Sequence, residues 1–189
     1  MTKPDDQRLL HSLREGHSEA CAELVCGQYQ TVYRFLIHLT HDVHRAEDLT
    51  QETFGAAWKG IAAFQGGSSL ATWLHRIAYT KFIDGQRAEQ RDAKLRESIT
   101  SSEISLADPF QAVMADDDAR HLYRALDELD ATDRTLLVLH YLQGLSYREI
   151  ALVMDEPSGT IKWRMRDALN GLRLLIDEEV SDHATPKTT

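Results

Sequence analysis

The sequence predicts an all-α protein in which two small helical domains are joined by a flexible acidic linker. Apolar residues recur at helical spacing before about Arg96 and after about Arg120, and no alternating run indicates a β-strand. The stretch between these points is rich in serine and aspartate and has no sustained apolar period, as is typical of a linker. A chain of 189 residues is long enough for two small domains of this kind.

The chain is acidic overall, but its charge is unevenly distributed. The formal net charge is −9, yet the segment from Thr72 to Arg96 contains six basic and three acidic residues. The segment from Glu97 to Asp133 contains ten acidic residues and two arginines. The net acidity argues against indiscriminate binding to nucleic acid, whereas the local basic segment is compatible with specific binding.

Composition also limits the classes of protein to which this chain can belong. The chain has no run of about 18 apolar residues, and its N-terminus lacks the apolar core of a signal peptide. Two cysteines, Cys21 and Cys26, do not make a disulfide framework, and reduced thiols suit the cytoplasm. We therefore expect a cytoplasmic protein with no membrane insertion, in which both cysteines are buried structural thiols.

The first domain contains a helix with a continuous polar stripe. In "HDVHRAEDLTQETFGAAWKGIAAF", helical spacing places four residues on one side, Asp48, Gln51, Glu52 and Gly55. The other side carries Leu49, Phe54, Ala57 and Trp58. Such a stripe is suited to docking the basic helices of a partner, although a stripe taken alone is more often a solvated face.

A loop rich in glycine and serine and then a basic helix follow in "FQGGSSLATWLHRIAYTKFIDGQRAEQR". Helical spacing predicts that four side chains face the core, those of Trp73, Leu74, Ile77 and Ala78. It predicts that four others face outward, those of Arg76, Thr80, Lys81 and Arg87. A flexible loop beside aromatic rings and cations is typical of sites for single-stranded DNA, because bases stack on rings and phosphates need cations. Trp73 by itself is more simply explained as a core residue.

The sequence of the second domain predicts a helix-turn-helix. It begins with leucines that recur at helical spacing, namely Leu126, Leu129, Leu136, Leu139 and Leu142. Gly144 fits a helix end, and Ser146 with Glu149 forms a capping box for a short helix with Ile150, Ala151 and Met154 on its buried side. After the turn "DEPSG", Ser158 is predicted to cap a helix whose apolar face carries Ile161, Met165, Leu169, Leu172 and Ile176.

The last of these helices has the features of a DNA-reading helix. At about 100° per residue, Lys162, Arg166 and Arg173 lie together beside the apolar face, while Trp163 lies nearly opposite it. In a helix-turn-helix, N-terminal residues of this helix approach base edges and nearby cations contact phosphates. The alternative is a solvated charged face, and the preceding capping box and turn make it less favoured.

Three segments together resemble a known family. "AEDLTQETF", "TWLHRIAYTKFIDGQR" and "LSYREIALVMDEPSGTIKWRMRDAL" look like the two conserved regions of bacterial sigma factors of the extracytoplasmic-function (ECF) branch of the sigma-70 family. The resemblance extends from about Leu24 to Leu175. It implies that residues 1–96 form sigma region 2, residues 97–119 the acidic linker and residues 120–180 sigma region 4, with residues 181–189 as a disordered tail.

The resemblance also implies a function. Members of this family bind core RNA polymerase and direct transcription initiation at specific promoters, while the polymerase does the chemistry. We therefore expect core RNA polymerase and promoter DNA as partners, with an anti-sigma factor as a further partner. We expect no enzymatic activity and no cofactor.

The family's motifs assign three sets of site residues. The core-polymerase-binding set is Asp48, Gln51, Glu52 and Phe54. The set that binds the melted −10 element is Gln65, Gly66, Gly67, Ser68, Ser69, Trp73, Arg76, Thr80, Lys81 and Arg87. The set that binds the −35 element is Ser158, Thr160, Lys162, Trp163, Arg164 and Arg166.

The sequence departs from the family at several of these places. Thr80 stands where asparagine is usual, and Trp163 stands where a small residue is usual. Asp167 and Leu169 replace positions that are often basic, and Leu129-Asp130 replaces a usual Leu-Pro. These differences indicate an unusual promoter preference within a preserved fold.

Three other interpretations, a regulator, a metal site and an enzyme, explain less of the sequence. A dimeric helix-turn-helix regulator that acts without core polymerase would explain the second domain but would leave the polar stripe and the Gly/Ser loop without a role. A metal site would use His38, His41 and His44, with His17, Cys21 and Cys26 upstream, but the histidine spacing drifts around a helix and no CxxC pair accompanies it. No nucleophile elbow or phosphate-binding loop supports an enzyme.

Overall fold

The computed structural model describes residues 4–96 and 117–183, and all regular structure within them is helical, as predicted. The first part contains α1 (Pro4–Arg14), α2 (Ser18–Thr40), α3 (Val43–Gly60) and α4 (Leu70–Arg96). The second part contains α5 (Asp117–Glu128), α6 (Ala131–Leu137), α7 (Tyr147–Met154) and α8 (Ser158–His183). A 3-10 turn, Ile61–Ala63, follows α3, and a π-helical turn, Val138–Leu142, follows α6.

The predicted linker and tail fall largely outside the described residues. Residues 97–116 of the linker are among those not described, and α5 begins at Asp117, inside the predicted linker. At the other end, α8 continues to His183, so the predicted tail begins within this helix. Residues 184–189 lie outside the described residues.

The first domain is held together by the apolar faces of α2, α3 and α4. In α4, Leu74, Ala78 and Phe82 recur every fourth residue and are at most 2% exposed, so one side of the helix is buried from Leu74 to Phe82. They meet a core that includes Phe35 and Leu36 of α2, both 0% exposed. Burying one such large side chain contributes about 1.5–3 kcal/mol, and this core therefore fixes which side of α4 faces solvent.

A sharp corner between α2 and α3 sets the direction of the polar stripe. His41 ends α2 in the left-handed conformation with a φ of 53°. Asp42 then caps α3 by accepting a hydrogen bond from the Arg45 N–H at 3.1 Å. Because only these two residues separate the helices, α3 folds back along α2 and presents its polar side outward.

The second domain packs α6, α7 and α8 around a small core. Leu136, Leu139, Ile150 and Ile161 are all 0% exposed. The leucine series predicted from its spacing is divided between α5, the turn before α6, α6 and the π-helical turn, and its last member, Leu142, is 48% exposed.

Asp130 divides this series by starting a new helix. Its carboxylate accepts hydrogen bonds from the N–H groups of Thr132 at 2.7 Å and Asp133 at 3.0 Å. These bonds satisfy amide groups that have no partner within the first turn of α6. The aspartate that replaces the family's usual proline therefore acts as a helix cap.

The predicted capping box is present at the start of α7. The Glu149 N–H donates to Ser146 Oγ at 3.4 Å, and the Ser146 N–H donates to Glu149 Oε2 at 2.9 Å. The prediction that Ser158 caps the next helix is wrong by one position. Ser158 is the first residue of α8, and the Pro157 carbonyl accepts the first helical bond from the Ile161 N–H at 3.1 Å.

The buried face of α8 is also shifted from its predicted position. Ile161 and Met165 are at most 2% exposed, as predicted. One turn later Ala168 is 1% exposed, whereas Leu169, predicted to be buried, is 36% exposed. The small alanine allows close packing at that point, so the larger leucine lies at the edge of the interface.

The two domains lie against each other. α7 packs on α4, and the two helices are linked by side chains described below. At another point of contact, His41 Nε2 lies 3.1 Å from Asp127 Oδ1 of α5. The helix-turn-helix therefore covers part of the first domain.

The capping box makes a testable contribution to stability. We expect Ser146→Ala to lower the free energy of unfolding by about 1 kcal/mol, because the first turn of α7 loses its cap. Urea denaturation followed by circular dichroism measures the change. Ser158→Ala is the matched control and should shift the free energy by less than about 0.5 kcal/mol, since that serine is already helical. Equal losses in both variants would contradict this assignment of the helix starts.

Two carboxylates at the start of α6 make stability depend on pH. Burial, and then the negative charge of Asp130, raise the pKa of Asp133 from 3.8 to about 6. A carboxyl group with a higher pKa in the folded state binds its proton more tightly there, so its ionisation lowers stability as pH rises through this range.

We therefore expect Asp133→Asn to stabilise the protein near pH 7.5 and to change its stability much less near pH 4, where the folded carboxyl group is largely protonated. Urea denaturation at both pH values measures the difference. Glu23→Gln, at an exposed position of α2, is the control and should show no such dependence. An effect of Asp133→Asn that is the same at both pH values would contradict the raised pKa.

Candidate functional site

The polar stripe of α3 lies on the surface. Asp48 and Gln51 are exposed, as the helical spacing predicted. Glu52 is also exposed, and its Oε2 lies 3.2 Å from Lys81 Nζ of α4. The stripe therefore offers carboxylate and amide groups to a partner, and one of its carboxylates already touches a residue of the predicted −10 set.

An apolar groove continues from this stripe. Phe54, the fourth residue of the polymerase-binding set, is half-buried and its ring stacks on Tyr29 with centroids 6.2 Å apart. Trp58 was predicted on the apolar side of α3 but is 51% exposed. The groove has a volume of about 300 Å³ and is lined by Leu13, Cys21, Leu24, Val25, Phe54, Ala57, Trp58 and Ile61. Helical spacing predicted the direction of the Trp58 side chain on α3. It could not predict that none of the described helices lies over this side chain.

The two cysteines differ in their surroundings. Cys21 is half-buried beside the groove, and burial raises the pKa of its thiol above 9.0. Cys26 is exposed, so the prediction of a buried thiol is wrong for this residue. α2 turns the two side chains to different sides, because five residues correspond to about 500° of helical rotation.

The Gly/Ser loop is held by its own hydrogen bonds at the start of α4. Gly66 has a φ of 75°, a conformation that glycine adopts without strain. Ser69 caps α4, because its Oγ accepts a hydrogen bond from the Thr72 N–H at 3.0 Å. The loop is therefore fixed at the N-terminus of the helix that carries the predicted −10 residues.

Five of the predicted −10 residues line one cavity beside this loop: Gln65, Gly67, Ser68, Trp73 and Arg76. The cavity has a volume of about 580 Å³. Trp73 is half-buried rather than fully in the core, and its ring stacks on Phe64 with centroids 4.7 Å apart. Phe64, which the sequence analysis did not select, belongs to this aromatic wall.

The remaining α4 residues of the −10 set lie further along this helix. Thr80 and Arg87 are exposed and line a second cavity, of about 620 Å³. The Thr80 hydroxyl donates to the Arg76 carbonyl oxygen at 2.9 Å, so it is engaged with its own helix. Lys81 points toward Glu52 and lines neither of these cavities.

The first turns of α8 present most of the predicted −35 residues to solvent. Lys162 and Arg166 are exposed, as is Ser158. Trp163 is 56% exposed, which confirms its predicted position opposite the apolar face. Thr160 is half-buried.

Arg164 differs from the other predicted cations. Its Nε lies 3.3 Å from Glu156 Oε2, and both side chains are mostly buried. Glu156 lies in the turn between α7 and α8, so this ion pair ties α8 to the turn that precedes it. Sequence spacing could not find this pair, since it depends on how the chain turns after α7.

The histidines considered for a metal site are not gathered into one. Within residues 4–96 and 117–183, no group of three or more His, Cys, Asp or Glu side chains is placed to hold a metal ion. Burial lowers the pKa of His38 to about 4, and His41 forms the end of α2. None of the described helices is both long enough and apolar enough to cross a bilayer.

Comparison with known families assigns both domains. Residues 27–92 match the family described as Sigma-70 region 2. Residues 119–170 match the family described as Sigma-70, region 4. The match to region 2 favours a sigma factor over a helix-turn-helix regulator, because it covers the domain that the second interpretation left without a role.

Relatives match over nearly the whole chain. The ECF RNA polymerase sigma factor SigK of Mycobacterium ulcerans is 32% identical over 92% of this chain and 94% of its own. The RNA polymerase sigma-H factor of Pseudomonas aeruginosa is 29% identical over 90% and 94%, respectively. The structure resembles the sigma factor RpoE from Bartonella quintana, solved in complex with the anti-sigma factor NepR, with a TM-score of 0.69 and 28% identity over 82% of this chain and 96% of the other. The chain therefore belongs to the ECF branch of the sigma-70 family of RNA polymerase sigma factors.

Proposed function

We propose that this sigma factor binds core RNA polymerase through α3 and directs initiation by contacting promoter DNA with both domains. The observation that carries the proposal is the aromatic cavity beside the Gly/Ser loop, combined in one chain with the exposed stripe and the helix-turn-helix. Residues 1–96 and 120–180 are the two functional units, and residues 97–119 join them. The polymerase carries out the chemistry, and the sigma factor needs no cofactor.

The stripe on α3 is the proposed contact with core polymerase. Asp48, Gln51 and Glu52 offer oxygen acceptors on neighbouring turns of one helix, which suits a partner surface rich in basic side chains. Phe54 and the apolar groove beside it add surface that loses contact with water on binding. Together they form a polar rim beside an apolar centre, as is common at protein interfaces.

The cavity of the first domain is the proposed site for an unstacked base of the −10 element. Stacking a base on an aromatic side chain contributes about 1–3 kcal/mol, which offsets a cost of a few kcal/mol for taking the base out of the helix. Trp73 and Phe64 supply the rings, and Arg76 at the rim supplies a cation for a phosphate. Gly66, Gly67, Ser68 and Ser69 allow the backbone to approach the strand closely.

The exposed part of α8 is the proposed reader of the −35 element. Lys162 and Arg166 are available for phosphates, and Trp163 extends a large apolar surface toward the major groove, where thymine methyl groups are found. Ser158 and Thr160 are close to the helix start, where such helices meet base edges. Arg164 contributes by holding the turn through Glu156.

The proposal also includes a cytoplasmic location and an anti-sigma factor as a partner. We infer a cytoplasmic location because core RNA polymerase and promoter DNA are found there. The structurally similar RpoE was solved with the anti-sigma factor NepR, which supports an anti-sigma factor as a partner of this chain as well.

Charge reversal in the stripe tests the polymerase contact. We expect Asp48→Arg with Gln51→Arg to weaken binding to core polymerase by at least about 100-fold, because two acceptors become cations facing a basic partner. Binding is measured by fluorescence anisotropy of the labelled sigma factor. Glu23→Arg with Gln30→Arg makes the same change in charge at exposed positions of α2 and should bind as the wild type does. Unchanged binding of the Asp48/Gln51 variant would remove the stripe from the proposal.

Substitution of the exposed tryptophan tests the −35 contact. We expect Trp163→Ser to change which −35 sequences are transcribed while altering the free energy of unfolding by less than about 0.5 kcal/mol. Run-off transcription from promoters with a randomised −35 element measures the preference, and urea denaturation measures the stability. Ile161→Ser, on the buried face of the same helix, should instead cost about 3 kcal/mol. Unchanged promoter preference in Trp163→Ser would show that the tryptophan does not touch DNA.

A further inference from the structure

An ion pair joins the helix proposed to bind polymerase to the helix proposed to bind DNA. Glu52 Oε2 of α3 lies 3.2 Å from Lys81 Nζ of α4. Glu52 belongs to the exposed stripe, and Lys81 is a residue of the −10 set that lines neither of the two cavities beside α4. Each member of the pair therefore has a second use for its charge, Glu52 toward polymerase and Lys81 toward a phosphate.

The pair follows from the way α3 packs on α4. Arg45, in the first turn of α3, pairs with Glu89 of α4. Glu52 follows Arg45 by seven residues, and Lys81 precedes Glu89 by eight, so both pairs fit one antiparallel alignment of the two helices. The packing of these helices therefore brings the Glu52 carboxylate to the Lys81 ammonium group.

Lys81 lies next to the wall of the proposed base-binding cavity. Ile77 lines the cavity that contains Trp73, and Lys81 follows it by four residues on α4. Four residues are about one helical turn, or about 6 Å along the helix axis. A strand that leaves the cavity toward the C-terminal end of α4 passes Lys81, and an ammonium group there can neutralise one of its phosphates.

Glu52 opposes such a contact as long as the pair is intact. Its carboxylate cancels the charge of Lys81 and repels an approaching phosphate. The pair is nevertheless weak, because the Glu52 and Lys81 side chains are 56% and 39% exposed and solvent screens their attraction. It can therefore be exchanged at small cost for contacts with other charged groups.

The stripe places Glu52 within reach of any partner that contacts Asp48. Asp48 precedes Glu52 by one helical turn, and both residues are exposed. A basic side chain of such a partner neutralises the Glu52 carboxylate and repels the Lys81 ammonium group. Both effects favour the movement of Lys81 away from Glu52.

We propose that Glu52 and Lys81 exchange partners when the holoenzyme forms. Glu52 then pairs with a basic side chain of core polymerase, and Lys81 becomes a phosphate contact beside the base-binding cavity. This inference rests on the proposed functions of α3 and α4, and it goes beyond them because it makes one DNA contact depend on one polymerase contact. In the free protein, Glu52 withholds Lys81 from DNA.

Neutral substitutions on each side of the pair test this exchange. Glu52→Gln leaves Lys81 without its carboxylate, whereas Lys81→Met removes the cation and keeps an unbranched apolar side chain. Lys81→Arg keeps the charge and should restore what Lys81→Met loses. Glu47→Gln is the matched control for Glu52→Gln, since Glu47 is an exposed carboxylate of α3 that belongs to none of the site sets.

DNA binding is measured for the free sigma factor and for the purified holoenzyme. Each is titrated with a photo-crosslinkable single-stranded DNA of mixed sequence, about 12 nucleotides long. Electrophoresis separates the crosslinked sigma chain from the polymerase subunits, so that contacts between polymerase and DNA are not counted.

The two substitutions should act in different states of the protein. In the free protein, we expect Glu52→Gln to bind DNA about threefold more tightly than the wild type, and the gain should disappear when Lys81→Met is added. In the holoenzyme, Glu52→Gln should give no gain, because polymerase already engages the wild-type carboxylate. There, Lys81→Met should lower affinity about threefold and make the slope of log affinity against log salt concentration less negative by about 0.7.

Three results would overturn the exchange. The first is a gain from Glu52→Gln that persists without Lys81, or that Glu47→Gln reproduces. The second is a loss from Lys81→Met that is equal in the free protein and the holoenzyme, since Lys81 would then be available before polymerase binds. The third is an absence of any effect of either substitution.

Trp73→Leu distinguishes these results from a failure of the proposed function. It keeps an apolar side chain but removes the ring, and it should lower crosslinking affinity of the holoenzyme about tenfold. If Trp73→Leu has this effect while the exchange fails, the base-binding cavity stands and Lys81 has no part in it. If Trp73→Leu has no effect, the proposed cavity is wrong and the exchange is overturned with it.

Discussion

The burial of Leu74, Ala78 and Phe82 against α2 and α3 determines how α4 is oriented, and the surfaces of the first domain depend on that orientation. With this face buried, Arg76 and Thr80 must point away from the core, and Trp73 is left at its edge beside Phe64. The same orientation presents to α7 the side of α4 that would hold DNA. Packing thus decides which side chains of α4 lie at the surface of the first domain and which of them α7 contacts.

Several charges that sequence counting assigns to binding surfaces are used within the protein. Lys81 pairs with Glu52, and Arg164 pairs with Glu156. Arg76 pairs with a carboxylate of the other domain. The local excess of basic residues in α4 therefore overstates the positive potential that a phosphate meets in this arrangement, because nearby carboxylates cancel part of it.

Predictions from the sequence were correct where the position of a side chain depends on a single helix. They failed where that position depends on contacts between two elements. The capping box of Ser146 and the exposure of Trp163 follow from spacing within a helix, and both are present. Trp58 is exposed because no helix within residues 4–96 and 117–183 covers it at the end of α3, and Arg164 meets Glu156 because of the turn after α7. At α8, the choice between Ala168 and Leu169 for the buried side depends on how closely its neighbours approach. Periodicity gives the angle of a side chain but not the identity of its neighbour.

The carboxylate of Glu149 uses its two oxygens for different contacts. Its Oε2 accepts the hydrogen bonds of Ser146 that start the helix, at 2.9 Å from the amide and 2.7 Å from the hydroxyl. Its Oε1 accepts only the longer bond from Thr72 of the first domain. The Ser146 donors are the main reason that the pKa of Glu149 lies below 4.5, so the group stays ionised without help from the first domain. The helix cap of α7 therefore does not depend on the contact that Glu149 makes with the first domain.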